Sequence, residues 1–205
     1  MHSKDRTLLA SLGFSDPDKK NPLHDLACVF LSQDDVLGEI AKALFNTKYH
    51  DEKDFVAQET VDSTFTRIDR KQTEYILSKG EGKYKTTVGF VDVYAECERV
   101  IRQFGYRPEE PLRSYTMNRQ SILIEAKIHP CQIGDLIRQV RLYLEYFPDY
   151  SKPLPVAALA FPINETAAGQ LKQAKILHVH LGQRFADFAA KDKQQWKPSD
   201  ASVTF

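Results

Sequence analysis

SILIEAKIHPCQIGDLIRQVRLYLEYF, residues 121–147, is the stretch whose reading decides the fold. Its opening alternates with a period of two. Ile122, Ile124, Ala126 and Ile128 fall on one face, and Leu123, Glu125 and Lys127 fall on the other. That pattern predicts a strand over 121–128 with one core face. The period then lengthens. Ile133, Leu136, Ile137, Val140, Leu144 and Phe147 recur at helical spacing, which predicts a helix over 132–147 that stops before Pro148. A strand feeding directly into an amphipathic helix is a building block of layered α/β folds. Gln139 and Tyr143 flank the apolar stripe four residues apart, so they share a helix surface.

Working outward, the pattern on the N-terminal side predicts a hairpin. Glu74 to Ser78 and Lys83 to Glu96 read as strands around the turn Lys79-Gly80-Glu81-Gly82. Residues 55–69 alternate weakly, and residues 101–120, polar and carrying Pro108 and Pro111, read as a loop or small insertion. The first fifty residues read as helical, with 46–54 a loop. Ser32-Gln33-Asp34-Asp35 has the form of a capping box, followed by Leu37, Ile40, Ala41 and Leu44 at helical spacing. On the C-terminal side, 155–163 and 174–181 read as apolar strands. The expected fold is therefore α/β, a mixed central sheet flanked by helices. One domain is expected over 1–190, with a helical part at 1–50, a core over about 55–181, and a loosely held tail at 191–205.

Composition narrows the partners. The chain of 205 residues is 42% hydrophobic and 27% charged, ordinary for a globular protein. No run approaches the roughly 18 apolar residues of a membrane span, and no apolar leader opens the chain. Cys28, Cys97 and Cys131 form no CxxC pair and read as free thiols of a reducing compartment. Lys plus Arg equals Asp plus Glu, 28 each, so any nucleic-acid contact must come from a local cluster of cations.

Two acids stand inside apolar strands. In GFVDVYAE, residues 89–96, Phe90, Asp92, Tyr94 and Glu96 alternate against Val91, Val93 and Ala95. If the two strands are neighbours in register, Asp92 lies beside Glu125. A Glu–Lys pair on a strand is ordinarily a solvated ion pair worth roughly 0–1 kcal/mol. Buried carboxylates are costly, however, and these imply a counter-charge, either Lys127 or a divalent cation. Mg²⁺ or Mn²⁺ takes oxygen ligands, which Asp92, Glu125 and the carbonyl of Ala126 can supply. Lys127 would then orient or deprotonate a water, or steady a pentavalent phosphate.

Asp92 in the context Gly89-Phe90-Val91-Asp92, then Glu125-Ala126-Lys127 on the next strand and a helix after it, resembles the PD-(D/E)XK nuclease superfamily. Gln139 and Tyr143, as Q-x-x-x-Y, are similar to the motif of its RecB-like branch. The resemblance spans about residues 35–181 and implies a restriction-endonuclease-like αβββαβ core with an N-terminal helical extension. It implies a Mg²⁺-dependent nuclease acting on DNA in the cytoplasm. Gln139 and Tyr143 would then line the active site. It also implies a further acid from the first core helix, for which Glu39 is the candidate, with Glu59 and Glu74 behind it. The family's proline is absent, Val91 standing before Asp92. A homodimer, and a protein partner on residues 1–50, are further expectations. The rival reading is a non-catalytic member of the same fold that binds nucleic acid or protein. Lys79, Lys83, Lys85, Arg113, Arg119, Arg138 and Arg141, with Tyr84, Tyr106 and Tyr115 among them, are the candidate substrate patch. His178 and His180, with His129 or Cys131, form a weaker metal pattern. They lack the regular spacing of a zinc site.

Overall fold

The structure is a computed structural model that describes residues 22–48, 61–80, 85–103, 113–148 and 151–191. Two helices open the described chain, α1 (Pro22–Leu31) and α2 (Asp34–Lys48). A meander follows: β1 (Val61–Lys79), β2 (Thr86–Gln103) and β3 (Arg113–Lys127). Then come α3 (Ile133–Leu144), β4 (Leu154–Leu159), α4 (Glu165–Gln173), β5 (Leu177–His180) and α5 (Gly182–Lys191). The five strands form one mixed sheet in the order β1-β2-β3-β4-β5. β1 to β3 pair antiparallel, and β4 and β5 run parallel to β3.

Helices cover both faces. Leu26, Phe30 and Leu31 of α1, Leu37, Ile40 and Leu44 of α2, and Phe185 of α5 pack with Val93, Ala95, Ile122, Ile124 and Ala126. On the opposite face Leu136 and Val140 of α3 and Leu171 of α4 pack with Ala157 and Leu159. Of the apolar stripe expected on 132–147, Leu136 and Val140 are fully buried and Ile133, Ile137, Leu144 and Phe147 partly so; the buried face takes in Gln139 and Tyr143, which were expected to flank it. The end of α3 is held to the meander by Phe147, which stacks on Tyr75 and Tyr94 at centroid distances of 6.1 and 5.9 Å.

Several boundaries differ from expectation. Of the stretch read as an insertion at 101–120, residues 101–103 belong to β2 and 113–120 to β3, which pair as far as Gln103 with Arg113. Polar strands persist there because cross-strand pairing satisfies their backbone groups. Likewise β1 is continuous across polar residues 69–73. Charges on β2 answer those on β1 and β3: Glu98 is buried against Arg67 of β1 and Arg119 of β3, and Glu96 meets Arg70 of β1 at 3.8 Å. The Ser32 capping box does not form. Ser32 Oγ donates instead to the Val29 carbonyl at 2.8 Å, closing α1 rather than opening α2. α4 and α5 were not foreseen. α4 opens on Asn164, whose side chain accepts from the Ala167 N–H at 2.9 Å. The tail at 191–205 lies, beyond Lys191, outside the described residues, as do Glu59, Lys83, Tyr84 and Tyr106.

The alternation of β2 breaks at Asp92. Val93 and Ala95 belong to the core under α1 and α2, but Val91 packs on the other face with Leu77, Leu123 and Tyr143. The expectation that Val91, Val93 and Ala95 share a face is therefore corrected. Opposite the break on β1, Glu74 has φ 50°, in the left-handed region, and Thr73 and Tyr75 pair with Val93 and Val91 on either side. The β2–β3 ladder ends at Val93 and Ile124. β1 and β2 thus both turn over where the first acid sits.

Candidate functional site

The break places Asp92. Lys127 turns its carbonyl to β4, where it accepts from the Ala160 N–H at 2.9 Å. Backbone groups alternate along a strand, so the N–H and carbonyl of Ala126 face β2. With the ladder ended, no backbone carbonyl of β2 meets that N–H. The Asp92 side chain takes it instead, Oδ2 accepting at 2.7 Å. The group of Ala126 that meets Asp92 is thus its N–H, whereas the sequence reading offered its carbonyl as a metal ligand.

Glu125 points to the α3 face and is buried, 2% exposed. Its Oε1 accepts from Lys127 Nζ at 2.7 Å and from Gln139 Nε2 at 2.7 Å. Gln139 uses the other hydrogen of its amide on Tyr143 Oη at 2.6 Å. Helical spacing thus joins the Q-x-x-x-Y pair to the Glu-x-Lys pair through one carboxylate oxygen. The other, Oε2, is buried and has no hydrogen-bond partner among the described residues. A buried lone pair left unmet is costly in a folded chain.

Burial, then the charge of Asp92, raises the Glu125 carboxyl to about 7, against the opposing pull of Lys127. Burial pulls Lys127 down, but the charges of Glu125 and Asp92 prevail and hold its ammonium above the ordinary lysine value. Lys127 is therefore a cation at neutral pH. As an ammonium it can donate hydrogen bonds and neutralise charge. Burial, followed by the Glu125 charge, raises the Tyr143 hydroxyl well beyond the ordinary range, so it stays protonated.

His24, which the sequence places with Asp25 on a helix without an accompanying chemical motif, reaches Asp92 from α1. Its Nε2 lies 3.3 Å from Asp92 Oδ2, and its Nδ1 lies 3.8 Å from Cys28 Sγ one turn along. The hydrogen bond to Asp92, then that to Cys28, raises the imidazole to about 11. His24 thus brings positive charge to Asp92. The available signal was the helical spacing of His24 and Cys28 on an apolar helix, but nothing in the sequence ties α1 to β2. Glu39, expected to complete the site, is instead exposed on α2. Its carboxylate binds Arg184 of α5 at 2.6 Å, and Asp35 takes the other guanidinium nitrogen at 2.8 Å.

The remaining expectations fare unevenly. Arg138 pairs with Asp135, and Arg119 with Glu98 and Asp69, so two members of the basic patch are engaged elsewhere. Lys79, Lys85 and Arg141 are exposed. His178 is exposed, and His180 accepts from the Gly182 N–H at 3.2 Å through Nδ1. Among the described residues, the one group of three His, Cys, Asp or Glu donors within mutual metal-binding reach is His24, Cys28 and Asp92.

Comparison with family models, with curated proteins and with solved structures finds no match. The chemistry must therefore be read from the site's geometry. No helix among the described residues is long and apolar enough to cross a membrane.

Proposed function

We propose that this protein is a divalent-metal-dependent nuclease that hydrolyses phosphodiester bonds of DNA. The observation that carries the reading is Glu125: fully buried, fixed at one oxygen by Lys127 and Gln139, unmet at the other, and raised first by that burial and then by the charge of Asp92. A carboxylate so placed fits a cation. Asp92, Glu125 Oε2 and the Ala126 carbonyl are the residues that would hold Mg²⁺ or Mn²⁺. Such an ion supplies charge neutralisation and a water of lowered pKa.

The chain's own groups do the rest. Lys127, a fixed ammonium beside the acids, steadies negative charge on the phosphate and orients the water by donation. Gln139 holds Glu125 so that Oε2 stays directed away from the helix amide. Tyr143 holds Gln139. His24 meets the Asp92 charge from α1. The order α2-β1-β2-β3-α3-β4, with β4 parallel to β3, supports the restriction-endonuclease-like core.

The test is cleavage of single- and double-stranded DNA with Mg²⁺, Mn²⁺ or EDTA, by wild type and Lys127→Ala. Metal-dependent cutting lost in the variant supports the assignment. Equal cutting by both would place the chemistry elsewhere. Absence of cutting on all substrates, with DNA still bound, would leave the rival non-catalytic reading.

A further inference from the structure

We propose that His24, Cys28 and Asp92 form a binding site for a thiophilic divalent cation, Zn²⁺ in preference to Mg²⁺, and that filling it inhibits the nuclease. The inhibition rests on the nuclease reading above. The binding site does not.

The site is assembled by two elements. Helical spacing puts His24 and Cys28 on the same face of α1, and the break in β2 brings Asp92 to them. One donor atom from each residue lies within 4.8 Å of the other two. Zinc bonds of about 2.0–2.3 Å in tetrahedral geometry space ligands roughly 3.3–3.8 Å apart. Binding through one nitrogen of His24 therefore requires the three donors to draw together from within 4.8 Å. The donor set is one nitrogen, one sulfur and one oxygen. Mg²⁺ demands an octahedron of oxygens and has no use for the thiol. Zn²⁺ accepts all three donors and leaves a fourth position for water or phosphate. Asp25 Oδ1, 3.7 Å from His24 Nδ1, is the other carboxylate near the imidazole. Cys28 is 4% exposed and is the one cysteine among the described residues within reach of such a donor pair.

The consequence for the reaction is competition. Asp92 cannot serve the oxygen site with Glu125 and the sulfur–nitrogen site with Cys28 and His24 in one geometry. A zinc ion drawn toward α1 removes Asp92 from the catalytic set. Protons on His24 and Cys28 compete with the ion as well.

The test uses the full-length, metal-free chain titrated with Co²⁺ and then displaced by Zn²⁺. Wild type should develop a thiolate-to-cobalt charge-transfer absorption. Cys28→Ser should lose it, Cys131→Ser should keep it, and His24→Gln should bind at least tenfold more weakly. Circular dichroism of each variant checks that it folds. In Mg²⁺-supported cleavage, the Zn²⁺ concentration for half inhibition should rise at least tenfold in Cys28→Ser. No thiolate absorption in wild type, or absorption that persists in folded Cys28→Ser, overturns the site. A Cys28-dependent absorption in a protein that cuts nothing keeps the zinc site and removes the nuclease reading and the inhibition with it. Cutting with unchanged zinc sensitivity in Cys28→Ser overturns the inhibition.

Discussion

Glu125 combines two demands that conflict in a metal-free protein. It must be buried to lie on β3 under α3, and it must be ionised to bind a cation. Its folded value near 7 exceeds the ordinary 4.5, so its contribution to stability is present below about 4.5 and is lost as pH rises through 7. Between pH 4.5 and 6.5 in EDTA, wild type should therefore lose stability relative to Glu125→Gln, by at most about 1.4 kcal/mol per pH unit. Urea melts at several pH values check this, and parallel curves would show that Glu125 does not titrate there. His24 has the same sign at higher pH: raised to about 11 from 6.5, it stabilises below about 6.5 and ceases to do so through 11. Lys127→Ala removes the one ammonium bound to Glu125, and cleavage should fall by about 10²–10³-fold, the scale of a lost electrostatic stabiliser. The Glu-x-Lys pair and the neighbouring Asp92 were legible in the sequence as charges inside apolar strands. His24 was not, because a histidine on an apolar helix looks the same whether it faces a carboxylate or a core.

At the scale of elements, the site depends on where strands stop being regular. The β1–β2 arm turns over at Glu74 and Asp92, and a side chain at φ 50° pays a left-handed penalty of about 1–2 kcal/mol. Glu74→Gly should stabilise the protein by up to about 1 kcal/mol, and Glu74→Val should destabilise it by a similar amount. Chemical denaturation of both variants checks the break, and the opposite ranking would show that β1 has no such kink. On α3, Gln139→Leu removes a donor from a buried carboxylate and from a buried phenol, and should cost about 1–3 kcal/mol. The period of 121–147 foretold β3 and α3, but not that β3 is buried on both faces, with Ile122 and Ile124 under α1 and α2 and Leu123 and Glu125 under α3. It could not foretell the break in β2, since GFVDVYAE alternates without interruption. What interrupts it is the loss of a ladder partner, which is a property of two strands.

Across the whole molecule, the helices of one layer are joined by exposed charges as well as by core. Arg184 of α5 ties to Asp35 and Glu39 of α2 at the surface. Exposed pairs contribute little. Arg184→Ala should cost under about 1 kcal/mol by thermal melting and leave cleavage as it was. A large loss of cleavage would return Glu39 to the site.

The sequence by itself determined the α/β class, the strand and helix at 121–147, and the Asp92, Glu125, Lys127, Gln139 and Tyr143 set. Period and local charge are properties of neighbouring residues and carry the elements and the placement of the acids directly; Gln139 and Tyr143 were singled out by the motif resemblance. Only the tertiary structure decided that His24 rather than Glu39 meets Asp92, and that Asp92 caps Ala126 where the ladder ends. It also decided that the polar stretches at 69–73 and 113–120 are strand. Each of these depends on a partner far along the chain: the cross-strand charges that satisfy a polar segment, and the packing of α1 on the sheet that brings an imidazole to a carboxylate. Distance along the chain hides such partners until the layers close on one another.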